Sequence, residues 1–277
     1  MKTAREAAER LGPIGVWSFQ LERMTAADEG RFAQEVEALG FTALWIPESL
    51  GSKEIFAHAS ILLAATKTLI VASGIANLWA RDPVAMSNGA KTLQEAYADR
   101  FLCGIGVSHK PVIEVRLGGG YEKPLEHMRA YLDAMDRSPF VGPNAKDPPA
   151  PRVLAALGPR MLALSAERSL GAHPYFVPVE HTPMARRALG PLALLATEQA
   201  CTLESDPAKA REIARGHMKR YLTLDNYANN LRRLGWGDAD IGNGGSDALV
   251  DAIVAWGGTD AVKARANAHL EGGADHV

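Results

Sequence analysis

The chain has 277 residues, 47% of them hydrophobic and 22% charged, a balance that supports a large buried core and excludes disorder of the whole. Lys and Arg number 30 against 32 Asp and Glu, a formal net charge of -2 that leaves no basic excess for nucleic acid. Two cysteines, Cys103 and Cys201, exclude a zinc framework by count, and with no apolar leader and no apolar run near ~18 residues the expectation is a soluble, cytoplasmic protein without a membrane partner.

Short β-like runs alternate with longer helical ones. Residues 13–19 read as a first strand, followed by a helix over 27–39 in which Phe32, Val36 and Leu39 share one face and Gly40 stops it. A second strand spans 41–46 and ends at Pro47, and 56–66 is apolar and helical. A third strand spans 69–75. Asp82-Pro83 then supplies an N-cap and a first-turn proline for a helix to about Tyr97. The pattern repeats with a fourth strand over 101–107, a helix over 125–135, a fifth strand over 153–157 and a helix over 159–168. Residues 172–177 form a sixth strand. A seventh covers 194–203, interrupted by Thr197-Glu198-Gln199, and Asp206-Pro207 caps a helix to about Tyr221. Residues 138–151 hold five prolines and read as a long connection, and 225–245, rich in Asn and Gly, as an irregular insertion. A helix over 260–270 precedes Ala274 to Val277, which read as an incomplete eighth strand. Both cysteines lie in apolar runs and are expected to be buried thiols.

Strands alternating with helices imply βα units on a parallel sheet, and seven such units imply a (β/α)8 barrel forming a single domain over 1–277. A doubly wound sheet is the competing architecture, but the Gly-x-Gly-x-x-Gly turn of its dinucleotide-binding form is missing after the first strand. In a barrel the chemistry sits at the C-terminal ends of the strands. Those ends carry Glu48, Ser73 to Asn77, Gly104 to His109, Leu157 to Met161, His173 and Glu198.

Four of these ends carry recognisable motifs in order: Ala43-Leu-Trp-Ile-Pro-Glu48, Ala72-Ser-Gly-Ile-Ala-Asn-Leu-Trp-Ala-Arg-Asp-Pro83, Arg100-Phe-Leu-Cys-Gly-Ile-Gly-Val-Ser-His109 and Ala155-Ala-Leu-Gly-Pro-Arg-Met161. Together they resemble the bacterial luciferase-like flavin and deazaflavin oxidoreductases, above all their coenzyme F420-dependent branch, over about residues 13–277. The resemblance implies a TIM barrel that binds F420, or alternatively FMN, and transfers a hydride to or from a small organic substrate. An FMN-dependent monooxygenase and a non-catalytic cofactor-binding barrel are the alternatives. A metal-dependent barrel hydrolase is disfavoured, since no His, Asp and Glu cluster has ligand spacing.

The resemblance also implies site roles. Gly74-Ile75 matches the place of a non-prolyl cis peptide behind the cofactor ring, with Ser73 and Asn77 beside it. Gly104, Gly106 and Ser108 would let a ligand approach the backbone. Gly158, Pro159, Arg160 and Met161 open a helix directly after a strand, where free N–H groups and the Arg160 charge would hold the cofactor phosphate. His109 is the foremost acid–base candidate and Glu48 the second. His173, on a strand end, is placed with the cofactor, while His58, His127, His181, His217 and His269 fall on helices and read as surface or packing residues. Trp17 and Trp79 are candidates to stack on a ring or to fill core. Loops over 50–54 and 116–123 would set the substrate. The small-residue helices around Ile61 to Ala65 and Ala85 to Ala98 imply a homodimer.

Overall fold

Seven strands run side by side, all parallel, in a computed structural model that describes every residue except Leu50, Gly119 and residues 144–148. The seven are β1 (Val16–Trp17), β2 (Ala43–Ile46), β3 (Ile70–Ser73), β5 (Phe101–Gly106), β6 (Arg152–Leu154), β7 (Gly171–Ala172) and β8 (Leu194–Leu195); an eighth, β4 (Ala76–Asn77), is an offshoot paired to β5 beyond the end of β3. The last residues bridge the remaining gap. His276 pairs with Ala196, and Val277 exchanges backbone hydrogen bonds with Pro13 and Gly15, so the chain end lies between β8 and β1. Residues 275–277 thus bond to both sides, through an isolated bridge rather than a ladder.

Alternation along each strand sorts side chains to two cores. Ala43, Trp45, Ile70, Ala72, Leu102, Val153, Leu194 and Ala196 fill the barrel interior, whereas Leu44, Ile46, Val71, Phe101, Cys103 and Ile105 face the helical layer. The interior is therefore packed, and a ligand must sit at its mouth. Helix α1 (Ala4–Leu11), which the sequence reading did not anticipate, joins the interior cluster through Ala7 and Leu11. Around the sheet follow α2 (Ala26–Ala38), α3 (Ile55–Ala65), α4 (Pro83–Ala96), α5 (Lys110–Leu117), α6 (Pro124–Asp136), α7 (Pro159–Arg168), α8 (His181–Leu189) and α9 (Pro207–Tyr221). The expected caps form: Asp82 Oδ1 accepts from the amides of Val84 at 2.9 Å and Ala85 at 3.1 Å, and Asp206 does the same for α9.

Three expectations are corrected. The run over 194–203 is two strands. The chain leaves the barrel at Thr197-Glu198-Gln199, and β9 (Ala200–Thr202) pairs in a separate parallel ribbon with β10 (Val254–Trp256). The stretch over 225–245 is mostly helical, forming α10 (Asp225–Arg233) and α11 (Asp238–Ile241) before α12 (Asp247–Ile253) and α13 (Thr259–Glu271). Tyr227, Ala228 and Leu231 give α10 a buried face that joins Phe176, Met218, Leu249 and Ile253 in a second core, which outweighs the poor helix propensity of its asparagines. Cys103 is buried, but Cys201 is exposed, because β9 lies outside the barrel. No helix among the described residues is long and apolar enough to cross a membrane.

Candidate active site

A cleft of about 390 Å³ opens at the C-terminal ends of the strands. Trp17, Glu48, Gly74, Ile75, Ser108, His109, Leu157, Met161, His173 and Tyr175 reach it from the barrel, and Arg220, Tyr221, Leu224, Asn226 and Tyr227 reach it from α9 and α10. The segment expected to be an irregular insertion thus forms one wall.

The Gly74–Ile75 peptide is cis. It ends β3 and offsets β4, so that both residues face the cleft. The residues around it serve this bulge more than a ligand. Ser73 is fully buried and donates to the Gly104 carbonyl at 2.9 Å, which takes its hydroxyl out of the cleft. A Cβ on Gly104 would lie 1.9 Å from the Ser73 carbonyl oxygen, and one on Gly106 would lie 2.5 Å from the Ile75 side chain. Strand contact and room for Ile75 therefore require these two glycines. Asn77 is buried too; its side chain accepts from the Trp79 amide at 3.0 Å.

Glu48 lines the cleft, but both its oxygens are engaged. Oε2 accepts from the Asn77 amide at 2.7 Å and from Arg81 Nη1 at 3.0 Å, and Oε1 pairs with Arg81 Nη2. Through these bonds Glu48 ties the end of β2 to β4. His109 differs. Its Nδ1–H donates to Asn226 Oδ1 at 3.2 Å, its ring lies 5.3 Å from that of Tyr227, and no described residue bonds its Nε2. Burial holds this imidazole below its usual range; the Asn226 bond opposes that effect and nearby Arg220 adds to it. At neutral pH, His109 offers an unprotonated Nε2 at the cleft.

The α7 N-terminus departs from expectation. Gly158 is the N-cap and Pro159 the first helical residue, but the Met161 amide donates to the Gly158 carbonyl at 3.1 Å, and the Arg160 side chain is exposed and absent from the cleft lining. The Arg160 amide remains the available helix-start donor. The nearby charge comes from α10: a Cβ on Gly158 would lie 3.5 Å from Arg233 Nη2. Arg233 bonds Asn230 at 2.9 Å, and neither it nor Arg220 pairs with a carboxylate among the described residues. Arg220 thus lines the cleft and Arg233 stands beside the Gly158 turn, each without a matching carboxylate among the described residues, an anion-attracting arrangement.

His173 stands at the floor. Its Nδ1–H donates to the Ala196 carbonyl at 2.8 Å, its ring stacks on Trp45 at 4.4 Å, and burial pushes its pKa down to about 4. Of the helical histidines, His58, His181 and His269 are fully buried, whereas His127 stacks on Trp79 at 4.0 Å. Trp79 is bonded to the Val107 carbonyl and sits outside the cleft; Trp17 lines it. Glu198, at the strand end but not singled out from sequence, is buried beside Tyr175, Tyr221 and Tyr227, and burial raises its pKa to about 7 against the Phe176 amide that bonds it. Parts of the expected substrate loops, Leu50 and Gly119, lie outside the described residues; Tyr121 of the second loop reaches the cleft.

A model of the luciferase-like monooxygenase family matches residues 8–276. The chain belongs to that family. Among curated relatives, 5,10-methylenetetrahydromethanopterin reductase of Methanolobus tindarius is 24% identical over 89% of this chain and 87% of its own length. The enzyme of the same name from Archaeoglobus fulgidus is 26% identical, but the match spans only 49% of this chain and 45% of that protein. Among solved structures, an F420-dependent secondary alcohol dehydrogenase holding an F420–acetone adduct superposes with a TM-score of 0.74 at 15% identity, covering 95% of this chain and 91% of the other. The FMN complex of the oxygenating constituent of 3,6-diketocamphane monooxygenase from Pseudomonas putida gives 0.64 at 16% identity, covering 96% and 90%. At such identities these likenesses establish the luciferase-like barrel, and with it an oxidoreductase family whose members use F420 or FMN.

Proposed function

We propose that this luciferase-like oxidoreductase binds coenzyme F420 and transfers a hydride between it and a small organic substrate. The observation that carries the reading is the convergence, at one cleft, of the Gly74–Ile75 bulge, the unbonded Nε2 of His109 and the unpaired Arg220, with Arg233 beside the Gly158 turn. The residues fit an anionic ring cofactor. Arg220 lines the cleft, and the Arg160 amide and Arg233 flank the Gly158 turn.

When bound, the deazaflavin supplies a ring carbon that accepts or releases hydride. The chain's own residues do the rest. Arg233 and the start of α7 hold the phosphate, and Gly74 and Ile75 back the ring. His109 Nε2 receives or returns the substrate proton, with Asn226 fixing its tautomer. Val107, Val112, Ala155 and Leu224 make the remaining cleft apolar and keep water from the reacting carbon. Equilibrium titration of the purified chain with F420 and, separately, with FMN tests the reading: saturable binding of F420 at lower concentration than FMN supports it, and the reverse order overturns it.

A further inference from the structure

Three successive carbonyls at the exit of β5 are each held by a different element. Trp79 Nε1 donates to the Val107 carbonyl at 2.9 Å, and Tyr121 Oη donates to the Ser108 carbonyl at 3.0 Å. The amides of Val112 and Ile113, at the start of α5, donate to the His109 carbonyl at 3.0 and 3.1 Å. Ser108 has a φ of +56°, in the left-handed region, where a serine stays only if its surroundings enforce it. The middle carbonyl of the three thus belongs to the residue least able to keep its own conformation. Trp79 sits outside the cleft and is steadied by stacking on His127 at 4.0 Å. Tyr121, from the connection between α5 and α6, lines the cleft together with Ser108 and His109. Burial pushes its phenol up to about 12, so near neutral pH it keeps the proton it donates.

We infer that Tyr121 is a positioning residue for His109: by holding the Ser108 carbonyl it aims the imidazole so that Nδ1 meets Asn226 and Nε2 is left for the cleft. This inference rests on the proposed acid–base role of His109 and adds the residue that sets it. The lever is short. The Ser108 carbonyl and the His109 Cα belong to one planar peptide unit, so fixing that oxygen fixes the plane from which the His109 side chain departs. Without the Tyr121 hydroxyl, this plane is free to turn between two held neighbours, and Ser108 can leave positive φ. The bond from His109 to Asn226 is 3.2 Å, at the long end of the range, so a small turn breaks it. The proton is then shared between Nδ1 and Nε2, and the ring no longer presents one bare nitrogen.

Nitrogen magnetic resonance of the whole chain, labelled at its histidine rings, tests this without cofactor or substrate; the His109 signals are those lost in His109→Ala. In the parent chain His109 should show the Nδ1–H tautomer and titrate below 6.5, since burial and Arg220 of α9 outweigh the Asn226 bond, with Tyr227 of α10 the other titratable group beside it. Tyr121→Phe keeps the ring beside Trp79 and removes only the hydroxyl. It should mix the two His109 tautomers and move the titration up toward 6.5. The signals of buried His173 and His181 should stay in place, and the melting temperature should fall by no more than about 4 °C. Unmoved His109 signals overturn the inference, as does equal disturbance of every buried histidine, which would make Tyr121 a general structural tie. In reduction of F420 by small alcohols, Tyr121→Phe should lower kcat about tenfold with KM within about twofold, and the loss should vanish on the His109→Ala background. Equal losses on both backgrounds also overturn it. Imidazole signals that move as expected in a chain that reduces no F420, or whose His109→Ala variant keeps its turnover, would sustain the aiming role and sink the reading it rests on.

Discussion

The guanidinium of Arg233 lies over the Gly158 turn, with Nη2 3.5 Å from where a Cβ on that glycine would stand. The two residues are far apart in sequence, and α10 brings them together at the start of α7. Arg160, the arginine adjacent in sequence, is exposed, and neither arginine is among the residues that line the cleft. A phosphate held at this turn gains a charge-assisted bond worth roughly 1.5–3 kcal/mol from whichever arginine reaches it. Arg233→Ala should therefore weaken cofactor binding about ten- to a hundredfold by fluorescence titration, while Arg160→Ala changes it less than about threefold. Equal losses in both variants would return the phosphate to Arg160.

His109 carries the second prediction. Its Nε2 is free to exchange a proton at the cleft, and general acid–base groups typically contribute ~100- to 10,000-fold. His109→Ala should lower kcat by at least about a hundredfold with little change in melting temperature. Asn226→Ala, which releases Nδ1, should shift the pH profile of kcat while leaving the fold intact. Undiminished turnover of His109→Ala would remove the role.

How much of this was legible beforehand follows from the range of the forces involved. The strand ends at Glu48, Ile75, His109 and His173 could be placed because apolar runs, Asp-Pro caps and glycine stops act within a few residues. The packing role of Gly104 and Gly106 is hidden in the sequence, because a glycine needed for strand contact looks like one needed for a ligand. Arg233 was missed because its neighbour Gly158 is brought to it only by packing of α10, whose Asn-rich sequence hides the buried Tyr227 and Leu231 face. The split of the seventh strand was half visible: Thr197-Glu198-Gln199 marked the break, but not that β9 would find β10 outside the barrel.

The reassignment of Gly104 yields a third prediction. A methyl there would meet the Ser73 carbonyl oxygen at 1.9 Å, backbone against backbone, with no flexible side chain to yield. Gly104→Ala should cost more than about 4 kcal/mol and leave little folded protein, measured by soluble yield and thermal melting. A variant that folds normally but loses cofactor would instead support the ligand-approach role.

Acid stability provides the fourth. His58, His173, His181 and His269 are buried and held at about 4, against 6.5 for an ordinary imidazole. Their folded values are depressed, so the unfolded chain binds protons that the native chain refuses. Stability is fully present above pH 6.5 and falls as pH drops from 6.5 toward 4. Each group can contribute up to about 3 kcal/mol across that window. Glu198 acts in the opposite sense: its folded value is raised to about 7 from 4.5, so its contribution is present below pH 4.5 and lost as pH rises through 7. Glu198→Gln should raise the melting temperature at pH 8 and not at pH 4, and the parent chain should melt at steadily lower temperature from pH 6.5 to 4. A flat acid limb would show that these imidazoles titrate normally.

The central claim is hydride transfer through F420 in this cleft. Incubating the chain with F420 and a panel of small alcohols deuterated at the carbinol carbon, and analysing the cofactor by mass spectrometry, measures that transfer itself. The account predicts one deuterium in the reduced cofactor and the matching carbonyl compound as the product with at least one member of the panel, with the signal lost in His109→Ala. Deuterium that stays in the alcohol across a panel of small secondary and primary alcohols, together with oxygen consumption when the chain is given reduced FMN, would contradict it.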